Sequence, residues 1–146
     1  MRFLGLDVGD RRIGVAFGDA DVRIATPVEV IARGNFGQDV LQLGECVRRY
    51  AAEHLIVGLP RNMDGTHGDQ ANGVIAYAER VAQALNLPIT FWDERLSTVE
   101  ATSRLQATGA RGKKSRRKLD AIAATVILQD YLDSTFVRNE ARAARE

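Results

Sequence analysis

Three acidic residues occupy positions where acids are unusual. Asp7 lies within an apolar segment that predicts a strand, Glu94 directly follows another predicted strand, and Asp120 shares the apolar stripe of a predicted helix. A buried carboxylate is costly unless it is paired or binds a metal ion. Hard cations such as Mg²⁺ and Mn²⁺ prefer carboxylate oxygens, and two such ions can activate water for phosphodiester hydrolysis. The three acids are therefore candidate metal ligands of a phosphodiester-cleaving site.

Each acid also has a simpler explanation. Asp7 could accept hydrogen bonds from the backbone of the turn that follows it, and Asp120 could stabilise a first helical turn through the helix dipole. Glu94 could be a solvated loop residue, and the neighbouring Asp93 competes for its role because strand alternation does not choose between them. The sequence offers no other nucleophile. The single cysteine, Cys46, lies on a predicted helix and is expected in the core.

The elements that must position these acids begin with strands and end with helices. Strands are predicted over residues 2–8, 13–18, 23–31, 54–58 and 89–92, and helices near 40–51, over 71–85, from about 98 to 109 and from about 117 to 132. Tight turns join the first three strands into an antiparallel meander, and Pro27 favours an edge position for the third. The order βββαβαβαα predicts an α/β fold, a mixed five-stranded sheet with helices on both faces.

The predicted sheet brings the acids to one edge. Strands four and five are expected to be parallel, and ligands of open α/β sheets bind outside the carboxyl ends of such strands. If the first strand lies parallel to the fourth, Asp7 points toward the same edge as Glu94. Three acids from two strands and one helix could then converge there.

Positive charge is concentrated just before Asp120. Segment 104–118 carries seven positive charges and no acid, so the rest of the chain has a net charge of −6 against a total of +1. A solvated basic face is the ordinary explanation, but a phosphate-bearing partner fits the missing counter-charges better. The candidate nucleic-acid-binding residues are Arg11, Arg12, Arg95, Arg111, Lys113, Lys114, Arg116, Arg117 and Lys118. The two aromatic residues Phe91 and Trp92 are expected in the core rather than stacked on bases.

Length and composition predict one domain, residues 1–137, with a charged tail over residues 138–146. A lone cysteine precludes an intramolecular disulfide and suits a reducing compartment. The chain shows neither a signal-peptide pattern nor an apolar run long enough to span a membrane. We therefore expect a cytoplasmic protein with no membrane partner.

Four ordered motifs resemble those of the YqgF family, also called RuvX. They are residues 6–16 (LDVGDRRIGVA), 57–66 (VGLPRNMDGT), 93–98 (DERLST) and 119–124 (LDAIAA). The resemblance covers residues 3 to about 132. It implies a ribonuclease H-like fold and a nuclease dependent on Mg²⁺ or Mn²⁺, with the family's acidic positions on Asp7, Glu94 and Asp120.

Two activities are described for that family: processing of the 5′ end of pre-16S ribosomal RNA, and resolution of Holliday junctions. The resemblance does not choose between them, and symmetric cutting of a four-way junction would require a homodimer. One rival reading is a phosphate-transferring protein of the actin–hexokinase type, whose first phosphate loop resembles residues 5–14. Such proteins close two domains over a nucleotide, whereas this chain has the length of one. A second rival is a nucleic-acid-binding module without catalysis.

Overall fold

The computed structural model describes residues 1–60, 68–93 and 121–136. Its elements are β1 (Arg2–Val8), β2 (Arg12–Asp19), β3 (Thr26–Ala32), α1 (Phe36–Tyr50), β4 (His54–Leu59), α2 (Asp69–Leu85) and β5 (Ile89–Asp93). Residues 121–136 form a further helix, called the C-terminal helix below. The helix predicted over 98–109, the start of the last helix near 117 and the tail over 138–146 lie outside the described residues.

The strands form one mixed sheet in the order β3-β2-β1-β4-β5. β1 pairs with β2, and β2 with β3, in antiparallel fashion, whereas β1, β4 and β5 run parallel. The predicted meander, the parallel pairing of the first and fourth strands and the edge position of the strand containing Pro27 are thereby confirmed. The carboxyl ends of β1, β4 and β5 share one edge of the sheet, which we call the carboxyl edge.

Three predicted boundaries are wrong by three residues or more. α1 begins at Phe36 rather than near residue 40. β3 begins at Thr26 rather than at residue 23, because the preceding turn is wider than a tight hairpin. Arg23 has a left-handed backbone with φ of 61°, and Asp19 Oδ1 accepts a 2.6 Å hydrogen bond from the backbone N–H of Asp21. The C-terminal helix continues to residue 136, beyond the predicted end at 132. The Phe136 ring packs 5.9 Å from that of Phe3, which gives the added turn a core contact.

The helices begin and end where local chemistry dictates. α1 starts with a capping box in which Asn35 accepts from the Gln38 backbone and the Gln38 side chain accepts from Asn35. α2 buries a stripe of small and branched residues and ends at Asn86, whose left-handed backbone precedes Pro88. None of the helices in the described residues is both long enough and apolar enough to cross a bilayer.

Each face of the sheet has its own core. The α1/α2 face buries Leu4, Leu6 and Val8 of β1 beneath Leu43 and Cys46 of α1 and the stripe of α2. The C-terminal-helix face buries Phe3, Ala16 and Ile56 beneath Ala124, Ile127, Leu128 and Leu132. The expected position of Cys46 in the core is confirmed, since it is fully buried. Helices therefore cover both faces, as the order of elements predicts.

Candidate active site at the carboxyl edge of the sheet

Asp7 lies in β1 one residue before its carboxyl end, opposite Gly14 of β2. Phe3 faces the C-terminal helix, whereas Leu4, Leu6 and Val8 face α1 and α2. Strand alternation therefore places Asp7 on the C-terminal-helix face. Its side chain is half-buried, so the carboxylate stands between the core and the solvent at the carboxyl edge.

The C-terminal helix runs antiparallel to β1. Leu132 packs at Gly18, which pairs with Phe3 near the beginning of β1. Ala124, two turns earlier in the helix, packs at Gly5, farther along the strand. The described start of the helix at residue 121 is thus directed toward the carboxyl edge. Asp120, the residue before it, lies outside the described residues.

The end of β5 shows to which face of the sheet Asp93 belongs. Phe91 packs on the α1/α2 face and Trp92 on the C-terminal-helix face. By alternation Asp93, the last residue of β5, belongs to the α1/α2 face, opposite to Asp7. This placement disfavours Asp93 as a partner of Asp7 in holding one ion. Glu94 lies outside the described residues.

Phe91 and Trp92 are partly buried and pack against the cores of opposite faces, in line with the packing role expected from the sequence. The indole Nε1 of Trp92 donates a 2.6 Å hydrogen bond to Asp130 Oδ2, and its ring meets Tyr131 edge-on at 5.4 Å. These contacts join the end of β5 to the C-terminal helix, the two elements next to Glu94 and Asp120 in the chain.

The turn between β1 and β2 carries two of the predicted cationic residues at the same edge. The Gly9 N–H donates a 2.8 Å hydrogen bond to the Arg12 carbonyl, which closes the turn. Arg11 is exposed and Arg12 half-buried, and together with Gly9 and Asp10 they line a cavity of about 230 Å³. The remaining predicted cationic residues lie outside the described residues, namely Arg95, Arg111, Lys113, Lys114, Arg116, Arg117 and Lys118.

Among the described residues, no three His, Cys, Asp or Glu side chains come together as a metal-binding group. Two of the three predicted ligands lie outside that part of the chain, so their meeting with Asp7 stays a prediction. His54 begins β4, as expected, and its Nε2 lies 2.7 Å from Thr90 Oγ1. Burial lowers the pKa of His54, which fits a neutral ring packed in the sheet.

A buried acid beside this edge was not predicted from the sequence. Asp39 of α1 is 1% exposed and is the buried charged residue of the described part of the chain. Its Oδ1 accepts from the Gly34 N–H at 2.9 Å, and its Oδ2 accepts from the Tyr77 hydroxyl at 2.7 Å. Burial, together with that hydrogen bond, raises the pKa of Tyr77 well above its usual value. Asp39 shares the buried stripe of α1 with Leu43 and Cys46, and that spacing was the available signal.

Arg33, at the end of β3, connects this acid to the turn after Asp7. Arg33 Nε lies 3.9 Å from Asp39 Oδ2, and the guanidinium lies 4.1 Å from the centroid of the Tyr77 ring. Its Nη1 donates a 2.8 Å hydrogen bond to the Gly9 carbonyl. A cavity of about 290 Å³ opens beside these side chains, between the turn and the start of α2.

Comparison with known proteins assigns the chain to a family. The model of the family described as "RuvX: Holliday junction resolvase" matches residues 1–134. A protein of Caldanaerobacter subterraneus subsp. tengcongensis is 46% identical over 136 residues, covering 92% of this chain and 97% of that one. A protein of Desulforamulus reducens is 47% identical over 135 residues, covering 92% and 98%. Both carry the name "Putative pre-16S rRNA nuclease".

Solved structures show the same fold at low sequence identity. Thermus thermophilus RuvC in complex with a Holliday junction substrate superimposes with a TM-score of 0.56 at 14% identity, covering 92% of this chain and 94% of that chain. The fowlpox virus Holliday junction resolvase gives a TM-score of 0.54 at 15% identity, covering 92% and 99%. The predicted family and the predicted fold are both confirmed. The chain therefore belongs to the RuvX family of nucleases and has a ribonuclease H-like fold.

Proposed function

We propose that this nuclease is a divalent-metal-dependent endonuclease that processes the 5′ end of pre-16S ribosomal RNA. In this proposal Asp7, Glu94 and Asp120 hold two ions, Mg²⁺ or Mn²⁺. Cytoplasmic ribosome assembly would be the setting of the reaction. The names of the relatives, both of which refer to pre-16S rRNA, support this substrate.

The observation that carries the proposal is the position of Asp7. Its half-buried carboxylate lies one residue before the end of β1 on the C-terminal-helix face, at the edge where β4 and β5 also end. Neighbouring strands lie about 4.8 Å apart, so β1 and β5 are separated by about 10 Å. Glu94 is one residue beyond the end of β5, and Asp120 is one residue before a helix that is directed toward this edge. We therefore expect side chains from these positions to reach ions shared with Asp7.

The donor set fits the proposed ions. Mg²⁺ and Mn²⁺ favour carboxylate oxygens over the softer sulfur and nitrogen ligands, and the three residues supply carboxylates alone. When bound, such ions generate a hydroxide nucleophile and stabilise the leaving oxygen of the phosphodiester. Asp7 would orient the ions from a rigid strand in the middle of the sheet. Arg11 and Arg12, in the turn that follows β1, would attract the phosphate backbone.

A second substrate is supported by the description of the family. That description names Holliday junction resolvases, so branched DNA is the alternative to the ribosomal RNA precursor. The two substrates make different demands, because symmetric incision of a four-way junction requires two active sites and hence a homodimer. Side-by-side cleavage of a four-way DNA junction and a pre-16S RNA fragment with Mn²⁺ separates them. We expect faster cleavage of the RNA, and cleavage of the junction alone would overturn the assignment of the substrate.

The first prediction concerns Asp7→Asn. The substitution preserves shape but removes the charge that holds the ions, which supply several kcal/mol of transition-state stabilisation. Since about 1.4 kcal/mol corresponds to a tenfold change in rate, we expect cleavage in Mg²⁺ or Mn²⁺ to fall about a thousandfold or more. Binding of the nucleic acid, measured by gel shift, should be retained. Asp21→Asn, an exposed turn residue at the opposite end of the sheet, is the matched control and should cut like the parent. Normal cutting by Asp7→Asn would remove Asp7 from the metal site.

The second prediction concerns the basic segment, which we propose as a clamp on the phosphate backbone. A fourfold alanine variant would replace Lys113, Lys114, Arg116 and Arg117. Each phosphate contact contributes about 0.7 to 0.9 to the slope of log affinity against log salt. We expect weaker binding and a slope reduced by about 3, measured by fluorescence anisotropy at several salt concentrations.

The matched control removes positive charge elsewhere. Arg48 and Arg49 are exposed at the end of α1, away from the carboxyl edge. Their replacement by alanine should leave the salt slope unchanged. If the two variants changed the slope equally per charge removed, general attraction rather than a clamp would explain the binding.

A further inference from the structure

Arg33 holds the turn that follows Asp7 from outside. Arg33 uses its backbone N–H to donate a 2.9 Å hydrogen bond to the Arg11 carbonyl. Its side-chain Nη1 donates a 2.8 Å hydrogen bond to the Gly9 carbonyl. Gly9 lies two residues after Asp7, and the bond from its own N–H to Arg12 closes the turn. Arg33 thus binds the turn at two carbonyls, one near each end.

The Arg33 side chain is itself fixed by two groups from α1 and α2. Asp39 provides the counter-charge at 3.9 Å, and the ring of Tyr77 lies under the guanidinium. Asp39 cannot follow a moving arginine, because its two oxygens are held by the Gly34 N–H and the Tyr77 hydroxyl. The planar guanidinium has several donors in fixed directions, so it can pair with the carboxylate and donate to the Gly9 carbonyl at the same time.

The burial of the network points to a role in orientation more than in stability. A buried ion pair seldom stabilises a fold more than apolar residues of the same size would, because desolvation of the charges is costly. Here the acid is 1% exposed while the side chain of Arg33 is 27% exposed at the mouth of the cavity beside the turn. The charged group therefore extends from the core to the backbone next to the proposed metal ligand.

We propose that Arg33, held by Asp39 and Tyr77, is a positioning residue that fixes the Gly9–Arg12 turn and through it the carboxylate of Asp7. This inference rests on the proposed function, since it needs Asp7 to be a metal ligand. Groups that orient a ligand matter almost as much as the ligand, and their loss costs about 10- to 100-fold in metal affinity or activity. Asp39 and Tyr77 act indirectly, because they hold Arg33 in place.

The test is Arg33→Lys, which retains the positive charge but loses the planar fork of donors. We expect the concentration of Mn²⁺ that gives half-maximal cleavage to rise about tenfold. Calorimetric binding of Mn²⁺ in the absence of nucleic acid should weaken by the same factor. The amide of Gly9 should exchange its hydrogen faster in nuclear magnetic resonance spectra, because the turn that it closes is no longer held.

Tyr77→Phe is the second variant, in case the lysine variant does not fold. It removes one hydroxyl and keeps both the ring and the ion pair, so the same changes are expected at smaller size. Thr90→Val is the matched control, because it removes a 2.7 Å contact with His54 that lies away from the turn. It should lower the free energy of unfolding while Mn²⁺ binding and Gly9 exchange stay as in the parent.

The outcomes separate the two proposals. Normal Mn²⁺ binding and normal Gly9 exchange in Arg33→Lys, or in Tyr77→Phe if only that variant folds, would overturn the positioning role. Changes no larger than those of Thr90→Val would do the same. Asp7→Asn, measured beside them, reports on the proposed function alone. If it binds Mn²⁺ and cuts normally, Asp7 is not a ligand, whereas an inactive Asp7→Asn beside a normal Arg33→Lys overturns only the positioning role.

Discussion

The two faces of the sheet differ in how their helices approach it. On the α1/α2 face, branched side chains such as Leu6, Val57 and Leu43 fill the space between sheet and helices. On the C-terminal-helix face, small residues let the helix come close. A methyl group at Gly5 would lie 2.8 Å from Leu128 Cβ and 3.1 Å from the Ala124 carbonyl. On the α1/α2 face, large side chains keep the helices apart from the sheet. On the other face, the backbones of the helix and the strand lie close together.

The two faces are therefore expected to contribute differently to the stability of the fold and to the geometry of the proposed site. Close packing leaves little freedom for the helix to slide, so the distance from its start to Asp7 is set by backbone contacts. The α1/α2 face carries the larger apolar core, and its one buried acid, Asp39, is held by hydrogen bonds within the described residues. Apart from the Arg33, Asp39 and Tyr77 network, substitutions on that face should act mainly on folding, whereas those under the C-terminal helix should also act on the proposed site.

The sharpest way to break this comparison is a pair of leucine truncations, Leu43→Ala on the α1/α2 face and Leu128→Ala on the other. Both side chains are at most 1% exposed, so each variant should lose about 2 to 5 kcal/mol of unfolding free energy in urea. Only Leu128→Ala should also slow cleavage by the molecules that remain folded, because the cavity loosens the helix over Asp7. Equal slowing of cleavage by Leu43→Ala would show that the two faces do not differ in their effect on the proposed site.

The next effect compares two glycines that meet different surroundings. Gly5→Ala should cost about 1 to 3 kcal/mol, because overpacking here presses on the backbone carbonyl of Ala124, which cannot rotate away. Gly73→Ala in α2 is the control, since an added Cβ there has no atom within 4 Å. It should be neutral or stabilise the helix by up to about 1 kcal/mol. Thermal unfolding of both variants measures the contrast, which would vanish if the C-terminal helix were free to shift.

The smallest effect is a dependence on pH that belongs to the α1/α2 face. Burial, with a 2.7 Å hydrogen bond from Sγ to Glu29, raises the pKa of Cys46 from 9.0 to about 12. The folded state therefore keeps a proton that the unfolded state releases above pH 9. This contribution to stability is complete below pH 9 and is lost as the pH rises toward 12. Unfolding in urea at pH 8 and pH 10.5 should show the decline, and Cys46→Ala should show less of it.

Periodicity predicted most of the fold because the apolar residues of each element follow one period without conflict. The strand around Asp7 and the stripe of α2 appear where alternation and helical spacing place them. The turn before β3 was predicted too short, because its length depends on a left-handed Arg23 and on the hydrogen bond to Asp19, which periodicity does not reveal. The sequence pattern therefore predicted the helices and strands better than the turns between them.

The candidate site was predictable only in part. An acid within an apolar pattern identified Asp7, and the same criterion fits Asp39, which is held by Arg33 and Tyr77. An apolar stripe shows that an acid needs a partner but does not show which partner it has. Two partners of Asp39, Arg33 and Gly34, lie just before α1 in the chain. The third, Tyr77 of α2, is 38 residues away, so only the tertiary structure brings it to the acid.

Pro27 has a consequence for how copies of the chain can assemble. It lies in β3, at the open side of the sheet, where β2 and β3 also lose their regular register between Val15 and Ala16. A proline has no amide hydrogen, so a strand docking alongside would lack one rung of its ladder. Growth into fibrils and pairing of two sheets edge to edge are both discouraged there. Two copies of the chain are therefore not expected to pair through β3.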